Sequence, residues 1–431
     1  MVSQHPLLRS GPMVGHVDMM EANIWVQLHD TATVRIEYQD VSGEGRRQQT
    51  SSKQAQRDNA YCVTMTCDSV QPGRSYTYWV YINDLPVDFP YPTTFTTRPL
   101  FRWRADDWPT ATIMIGSCFY INEEGFERWN KDGVEVGYGS QYEIVTAMQR
   151  TPSDVMVWLG DNVYLREADW NSRSGILHRF SHTREVSELQ PFLASRSHYA
   201  IWDDHDFGPN NSNRSFWAKD IALEAHKLFW PAPSYGVGGL PGITTTFEIA
   251  DVQVFLLDDR YYRTPEHRVD VEPSILGEHQ IQWLVDALVS STATFKIIAV
   301  GSQFLATDSR KEGFIHAPAE RQQLIDLITK NDIKGVLFVS GDVHGAELMK
   351  MDRTNAYPLY EFTSSALTAG SNVGIADQPN DHRIQGTAYG LHNFGTITVS
   401  GPRKERSLTL RLMSKDGEEI WQRTITADEL R

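Results

Sequence analysis

The chain has 431 residues, of which 40% are hydrophobic and 22% are charged, as is typical of a soluble globular protein long enough for two domains. Its net charge of −15 excludes a general attraction to nucleic acid or to an anionic membrane surface. No apolar run approaches the ~20 residues of a membrane span, and the three cysteines, Cys62, Cys67 and Cys118, are too few for a disulfide framework.

Residues 1–98 are predicted to form an all-β domain. Short stretches rich in β-branched and aromatic residues, such as ANIWVQL and SYTYWVYI, alternate with polar, turn-forming segments. The run from Gln71 to Tyr78 resembles the loop-to-strand corner of a fibronectin type III-like sandwich. No titratable side chains gather in this region, so we expect a β-sandwich that serves at most for binding or spacing.

The segment RPLFRWRADDWP marks a predicted boundary, and residues 108–431 form the second predicted domain. Continuous apolar runs such as ATIMIG and GVLFVS alternate here with helical patterns such as HQIQWLVDALV. This alternation indicates an α/β sheet that is covered on both faces. The final stretches, GTITVSG, SLTLRLMS and IWQRTIT, return to a strand pattern.

Six of the apolar runs are followed directly by side chains that can bind metals or act in catalysis. Ligands of α/β folds bind beyond the carboxyl ends of the strands, so these side chains are predicted to converge on one crevice. The segments that follow the runs are Ser117-Cys118, Asp161 to Tyr164, Asp203 to Asp206, Asp258 to Arg260, Gly301 to Gln303, and Gly341 to His344.

Turn formation is the competing explanation for each of these segments taken alone, because Asp and Gly commonly end strands and start turns. Turn formation does not account well for six strand ends that all carry side chains of the metal-binding type. Crowded carboxylates repel one another and need a compensating cation. Cys, Tyr and His suit a ferric or other Lewis-acidic transition ion, whereas carboxylate and amide oxygens suit Ca²⁺, Mg²⁺ or Mn²⁺. The sequence therefore predicts two unlike metals that share one carboxylate.

Four short motifs also resemble those of the PhoD-like alkaline phosphatases, a branch of the calcineurin-like metallophosphoesterases. They follow the family's order and are Gly116-Ser117-Cys118, Gly160-Asp161-Asn162-Val163-Tyr164, Trp202 to Asp206, and Gly341 to His344. The resemblance covers nearly the whole chain. It implies an α/β fold with a four-layer α/β/β/α sandwich of mixed sheets, preceded by the fibronectin type III-like domain.

The resemblance also implies a set of metal ligands. Asp161 occupies the family's bridging position between the two metals. The ligands implied for Fe³⁺ are Cys118, Tyr164 and His344, and those implied for one or two Ca²⁺ ions are Asp204, Asp342 and Gln303. Mn²⁺, Mg²⁺ or Zn²⁺ are possible substitutes. Gln303 stands where the wider superfamily has a His ligand, so it could bind through its amide oxygen, through water, or not at all.

Three further residues are candidates for substrate contact. His205 is expected to hydrogen-bond phosphate and to protonate the leaving oxygen, with a structural histidine as the alternative. The Arg260 guanidinium suits phosphate oxygens, although a salt bridge to Asp259 explains it nearly as well. Asn211 lies in the loop GPNNSN, which could place an amide near phosphate or could simply form a turn.

The function that the resemblance implies is release of phosphate from phosphomonoesters, with some phosphodiesterase activity, by attack of a metal-bridging hydroxide. A phosphodiesterase or phospholipase with the same metals is the alternative, and a non-enzymatic binding module is a third possibility. A small phosphoester is the expected partner, and no protein partner is implied. The family is mostly secreted, yet the first residues, MVSQHPLLRS, lack the pattern of a secretory signal.

Overall fold

A computed structural model describes residues 5–43, 45–103, 108–123 and 138–431. The strands are β1 (Leu8–Val17), β2 (Ala22–Leu28), β3 (Ala32–Asp40), β4 (Gln48–Gln49), β5 (Lys53–Ala55), β6 (Cys62–Cys67), β7 (Ser75–Ile82), β8 (Leu85–Pro86), β9 (Thr94–Thr96), β10 (Ala111–Gly116), β11 (Val155–Leu159), β12 (Ser197–Ile201), β13 (Thr245–Ile249), β14 (Val252–Leu256), β15 (Phe295–Ala299), β16 (Val336–Ser340), β17 (Glu347–Arg353), β18 (Ala356–Thr363), β19 (Asn393–Ser400), β20 (Ser407–Ser414) and β21 (Glu419–Thr426). The α-helices are α1 (Glu143–Arg150), α2 (Arg173–Arg184), α3 (Leu189–Leu193), α4 (Asp204–Phe207), α5 (Lys219–Phe229), α6 (Glu278–Ser290) and α7 (Pro318–Lys330).

Two mixed sheets form the larger part of the molecule. The first has the order β21-β20-β19-β10-β11-β12-β1-β2-β6, and the second has the order β13-β14-β15-β16-β18-β17. In the first sheet β10, β11, β12 and β1 run parallel. In the second, β14, β15, β16 and β18 run parallel. In each sheet the carboxyl ends of the parallel central strands therefore lie at the same edge.

The two sheets share a hydrophobic core. Side chains of the first sheet such as Ile113 and Val157 belong to the same buried cluster as Ile297 and Leu337 of the second. Helices α6 and α7 add residues to that cluster, and α1, α2 and α5 belong to a second cluster with Met114 of β10. The buried strands carry apolar side chains on both faces, because each face is covered. The chain thus has a mixed α/β fold with several sheets.

The described part of the N-terminal region is built from strands and one short 3-10 helix, Arg57–Asn59. Strands β3, β4, β7 and β8 form a third sheet, with β5 and β9 paired to its members. Strands β1, β2 and β6 instead extend the first sheet, because β1 pairs with β12 at Val14 and Ser197. The sequence pattern did not predict this continuity. The boundary at residue 98 and the fibronectin type III-like topology stay predictions.

The regular elements of residues 108–431 follow the predicted ones closely. The six apolar runs are strands β10, β11, β12, β14, β15 and β16, and the C-terminal stretches are β19, β20 and β21. The predicted helical patterns correspond to α1, α5, α6 and α7. Among the described residues, none of the helices combines the length and the apolar character that a membrane crossing needs.

Lys296 is a charged side chain within the buried strand β15. Its ammonium donates a hydrogen bond to the Ala293 carbonyl at 2.8 Å, and burial lowers its pKa to about 8. The unfolded chain binds this proton more tightly than the folded protein does. The free energy of unfolding therefore rises as the pH rises from about 8 to the ordinary lysine pKa of about 10.4.

We expect Lys296→Met to raise the free energy of unfolding at pH 7 by about 1–2 kcal/mol, because the cost of burying the charge disappears. The measurement is urea unfolding at pH 7 and at about pH 10. The gain from the substitution should shrink at the higher pH, where the wild-type lysine is largely neutral. An equal gain at both values would show that burial of charge is not the cause.

Candidate metal centre

The ligand-type side chains follow strands that end at a common edge. Cys118 comes after β10, Asp161 after β11, and Asp204 after β12, three neighbouring parallel strands of the first sheet. Gln303 and Asp342 follow β15 and β16, two neighbouring parallel strands of the second. Parallel strands place their carboxyl ends side by side, and the face-to-face packing of the sheets brings the two sets of strand ends together.

Glycines at these strand ends allow the two sheets to approach closely. A Cβ on Gly341 would lie 2.3 Å from the Ser117 hydroxyl oxygen and 2.9 Å from the Leu159 carbonyl oxygen. A Cβ on Gly301 would lie 2.6 Å from the Asp203 carboxyl carbon. Real Cβ atoms do not tolerate such distances, so packing requires glycine at both positions.

Cys118, Asp161 and His344 form a first group with metal-ligand geometry. One potential ligand atom from each lies within 4.8 Å of the others. The Cys118 thiol donates to the Asp161 carboxylate at 3.6 Å, and the Tyr164 hydroxyl donates to the same carboxylate oxygen at 3.2 Å. The Tyr164 oxygen is 3.4 Å from Nε2 of His344. All four ligands predicted for the ferric side therefore surround one point.

Asp161, Asp204 and His205 form a second group that meets the same distance criterion. The other oxygen of the Asp161 carboxylate accepts the His205 backbone N–H at 3.1 Å. The Asp204 carboxylate accepts the Asn211 backbone N–H at 2.6 Å. The His205 ring is stacked on the Tyr164 ring at 4.3 Å between centroids. Asp161 is common to both groups, as its predicted bridging position requires.

Four of the candidate ligands have a left-handed backbone. The φ angles are +58° at Cys118, +52° at Asp161, +66° at Asp342 and +55° at His344. Such a conformation costs roughly 1–3 kcal/mol at a non-glycine residue and persists only where the surrounding structure fixes it. The left-handed conformation of four candidate ligands indicates that the backbone sets the direction of these side chains. Such strained residues are typical of functional sites.

The electrostatics of the cluster disfavour ionised ligands. Burial raises the pKa of the Asp161 carboxyl well above its usual range, and the nearby Asp204 and Cys118 add to the rise. Burial likewise raises the pKa of the Cys118 thiol to about 11 and that of the Tyr164 phenol well above its normal value. At Asp204 burial acts in the same direction, but the charges of His205 and Arg260 outweigh it and lower the pKa.

These residues fit a pair of cations. Asp161 is 1% exposed and lies among other acidic groups, an arrangement that positive charge would relieve. Metal binding replaces the protons on such ligands and reverses the rise in pKa. The Ser365 hydroxyl donates to the Cys118 sulfur at 3.0 Å, which supports a thiolate.

Asp342 belongs to neither group, and Gln303 follows β15 at the end of a neighbouring strand. The Gln303 amide nitrogen donates to the Glu347 carboxylate at 2.8 Å and to the Thr363 hydroxyl at 3.0 Å. Only its amide oxygen could then act as a ligand. Burial and the Glu312 carboxylate raise the pKa of Asp342 to about 7, and the Asp342 carbonyl oxygen accepts from the Cys118 thiol at 3.6 Å.

Two residues expected to contact substrate have other partners in this structure. The Arg260 guanidinium is completely buried and donates to the Asp203 carboxylate at 2.6 Å and to both oxygens of Glu312 at 2.6 and 2.9 Å. Asp259, its expected ion-pair partner, is 4.0 Å away. The Asn211 side chain is exposed and accepts from Asn210 at 2.6 Å. Phosphate contacts by these two side chains stay predictions.

We expect Arg260→Met to lower the free energy of unfolding by about 3–5 kcal/mol, because it leaves the buried Asp203 carboxylate without its cation and Glu312 with Arg263 alone. Denaturant unfolding measures the loss. Arg310→Met is the matched control, since that guanidinium is 66% exposed in its pair with Asp308, and it should cost less than about 1 kcal/mol. Full stability with lost hydrolysis in the Arg260 variant would instead indicate that this side chain serves the substrate.

Two residues of the site, Ser365 and Glu312, lay outside the sequence prediction, and a third, Asp206, lay in a predicted segment without a role of its own. Ser365 follows the end of β18, so the strand-end criterion could have found it. Asp206 accepts the backbone N–H groups of Asn162 and Val163 at 3.0 and 3.1 Å, and so holds the loop that carries Asp161. Glu312 lies in a loop, and no motif or periodicity in the sequence marks it as a residue of the site.

Two family models match this chain. A family model described as PhoD-like phosphatase matches residues 127–398, and one described as a domain of unknown function matches residues 5–99. Alkaline phosphatase D of Bacillus subtilis (strain 168) is 22% identical over 371 residues, which are 74% of this chain and 58% of that protein. The chain thus spans little more than half the length of this curated relative.

Two solved structures share the fold. The structure of PhoD is 20% identical with a TM-score of 0.75, and the match covers 98% of this chain and 89% of that one. A purple acid phosphatase from yellow lupin (Lupinus luteus) seeds is 13% identical with a TM-score of 0.66, covering 96% and 74%. Because the PhoD-like phosphatase model matches more than half of the sequence, the chain belongs to the PhoD-like phosphatase family.

Proposed function

We propose that this protein is a metal-dependent phosphoester hydrolase that releases phosphate from phosphomonoesters and accepts some phosphodiesters. The observation that carries the proposal is the position of Asp161, whose carboxylate is shared by two groups of potential ligands. Family membership supports the same chemistry. The four-layer α/β/β/α arrangement that we infer for residues 108–431 agrees with the buried clusters on the two faces of the first sheet.

In this proposal Cys118, Tyr164 and His344 hold a ferric ion together with Asp161. Thiolate, phenolate and imidazole suit a Lewis-acidic transition ion. Asp161 and Asp204 hold a harder ion such as Ca²⁺, and we assign Asp342 and Gln303 to it as further oxygen ligands. Bound in this way, such ions lower the pKa of water, neutralise phosphoryl oxygens and orient the ester for in-line displacement.

His205 is the group that we propose to interact with the phosphoester directly. Burial lowers the pKa of its ring, while the Asp204 carboxylate acts in the opposite direction. Its backbone N–H is fixed by Asp161, and its ring is held against Tyr164. An imidazole in such a position can donate a proton to the leaving oxygen.

The test is a comparison of steady-state rates on an aryl phosphate and a bis-aryl phosphate, with Fe³⁺-loaded protein and added Ca²⁺. We expect the monoester to be hydrolysed with the higher kcat/KM. A higher kcat/KM for the diester would make the protein a phosphodiesterase instead. Hydrolysis of neither ester by metal-loaded protein would contradict the proposal.

Export from the cell is a further part of the proposal. It rests on the resemblance to a family whose members are mostly secreted. Fractionation of the producing cells, followed by immunodetection of the protein in the medium, envelope and cytosol, would decide it. Detection in the cytosol alone would contradict export.

A further inference from the structure

A small recess opens beside the two ligand groups. It is lined by Gln303, Asp308, Lys311, Val343, Asn380 and Arg383, among others. Val343 lies between Asp342 and His344 in the chain, and Gln303 follows β15 at the same edge of the sheets. The recess therefore includes one candidate ligand, Gln303, and borders the segment that carries two others, Asp342 and His344.

Most positive charge around the recess is already paired. The Arg383 guanidinium donates to the buried Glu347 carboxylate at 2.5 Å. The Arg310 guanidinium donates to both oxygens of Asp308 at 2.8 Å. These pairs hold the walls of the recess, and in each the charge of the arginine is offset by a carboxylate.

Lys311 differs from these arginines, because within the described ranges its ammonium forms no ion pair within 4.0 Å. Its backbone is nevertheless well held. Its N–H donates to the Asp308 carbonyl at 3.2 Å, and its carbonyl is 2.8 Å from Nε2 of His316. It lines the recess together with Gln303 and Val343. A held backbone thus places in the wall of the recess a cation that has no ion-pair partner among the described residues.

We propose that the Lys311 ammonium binds a non-bridging oxygen of the substrate phosphoryl group and makes the site selective for phosphomonoesters. This inference rests on the proposed function. A phosphomonoester carries nearly two negative charges at neutral pH, as does inorganic phosphate, whereas a phosphodiester carries one. Metal ions at the two groups would neutralise part of that charge. The Lys311 ammonium would form a charge-assisted hydrogen bond with the second anionic oxygen, which only the monoester has.

The experiment compares metal-loaded wild-type protein with Lys311→Met and Lys311→Arg. In the methionine variant we expect KM for the aryl phosphate and the inhibition constant of inorganic phosphate to rise about tenfold, equivalent to about 1.4 kcal/mol. KM for the bis-aryl phosphate should change less than about threefold, and arginine should restore most of the monoester affinity. Lys330→Met is the matched control, because this exposed lysine lies at the end of α7, and it should behave as wild type.

Equal changes for both esters, or no change for either, would overturn the role of Lys311. Calorimetric titration with inorganic phosphate gives a readout that does not depend on turnover. If the wild-type protein hydrolysed neither ester, the proposed function would fail, and weaker phosphate binding by Lys311→Met than by wild type would still support the contact. Equal phosphate affinity of the two proteins, or no binding by either, would refute it. Matching thermal unfolding curves would exclude misfolding as the cause of weaker binding.

Discussion

Replacing Asp161 with asparagine is expected to lower kcat on an aryl phosphate by at least about a thousandfold, or about 4 kcal/mol in the activation barrier. The substitution removes the one negative charge that both ligand groups share. Asparagine matches the shape of aspartate and tolerates the left-handed backbone at this position. The fold should therefore persist while both cations are lost, and elemental analysis of the variant measures that loss alongside the rate.

Asp154→Asn is the matched control for this substitution. Asp154 precedes β11, at the opposite end of the strand from Asp161, and its carboxylate accepts the Thr112 backbone N–H at 2.7 Å. An asparagine oxygen can accept the same bond, so the metal content and the rate should remain those of the wild type. Retention of both cations and full activity by the Asp161 variant would refute the shared-carboxylate arrangement.

Tyr164→Phe is expected to remove the colour of the concentrated protein. A ferric ion bound to a phenolate absorbs visible light, and Tyr164 is the phenol that adjoins Asp161 and His344. The phenylalanine ring preserves the stacking on His205 and the edge contact with Tyr120, so the change is confined to the oxygen. The visible absorption spectrum is the measurement, and kcat should fall by about a hundredfold or more.

Tyr120→Phe provides the control for the spectrum. Its ring contacts that of Tyr164 at 5.1 Å, but within the described ranges its hydroxyl forms no hydrogen bond to Asp161 or His344. The colour should persist in this variant. A colourless wild-type preparation that contains no iron and is fully active would contradict the ferric assignment and leave Mn²⁺ or Ca²⁺ chemistry in its place.

The sequence was sufficient to predict which segments meet at the site. Continuous apolar runs identify buried strands, and parallel strands must end at one edge of a sheet. Within one sheet, these two rules place Cys118, Asp161 and Asp204 together without knowledge of the coordinates. His344 follows a strand of the second sheet and reaches the same site through the packing of the two sheets. The mixed character of the sheets came from the resemblance, because apolar runs alone do not reveal strand direction.

The remaining features depend on contacts between distant parts of the chain. The burial of Arg260 follows from the positions of Asp203 and Glu312, which lie 57 and 52 residues away in the sequence. The left-handed backbone at four candidate ligands has no local sequence signature, since none of these residues is glycine. The extension of the first sheet by β1, β2 and β6 is likewise a tertiary pairing that strand patterns do not specify.

The pairing of β1 with β12 also gives the N-terminal region a structural role. Deleting residues 1–98 would remove three strands from the first sheet and expose the edge of β12, the strand that leads directly to Asp204 and His205. Exposed sheet edges promote aggregation. Loss of activity on such a deletion would therefore not identify a binding function for this region.

Elemental analysis of the purified protein, paired with its rate on an aryl phosphate before and after chelation, tests the central claim most directly. We expect at least one cation for each ligand group, with a transition metal among them. Chelation should remove metal and activity together, and added metal should restore both. A metal-free protein that hydrolyses the ester at the full rate would contradict it.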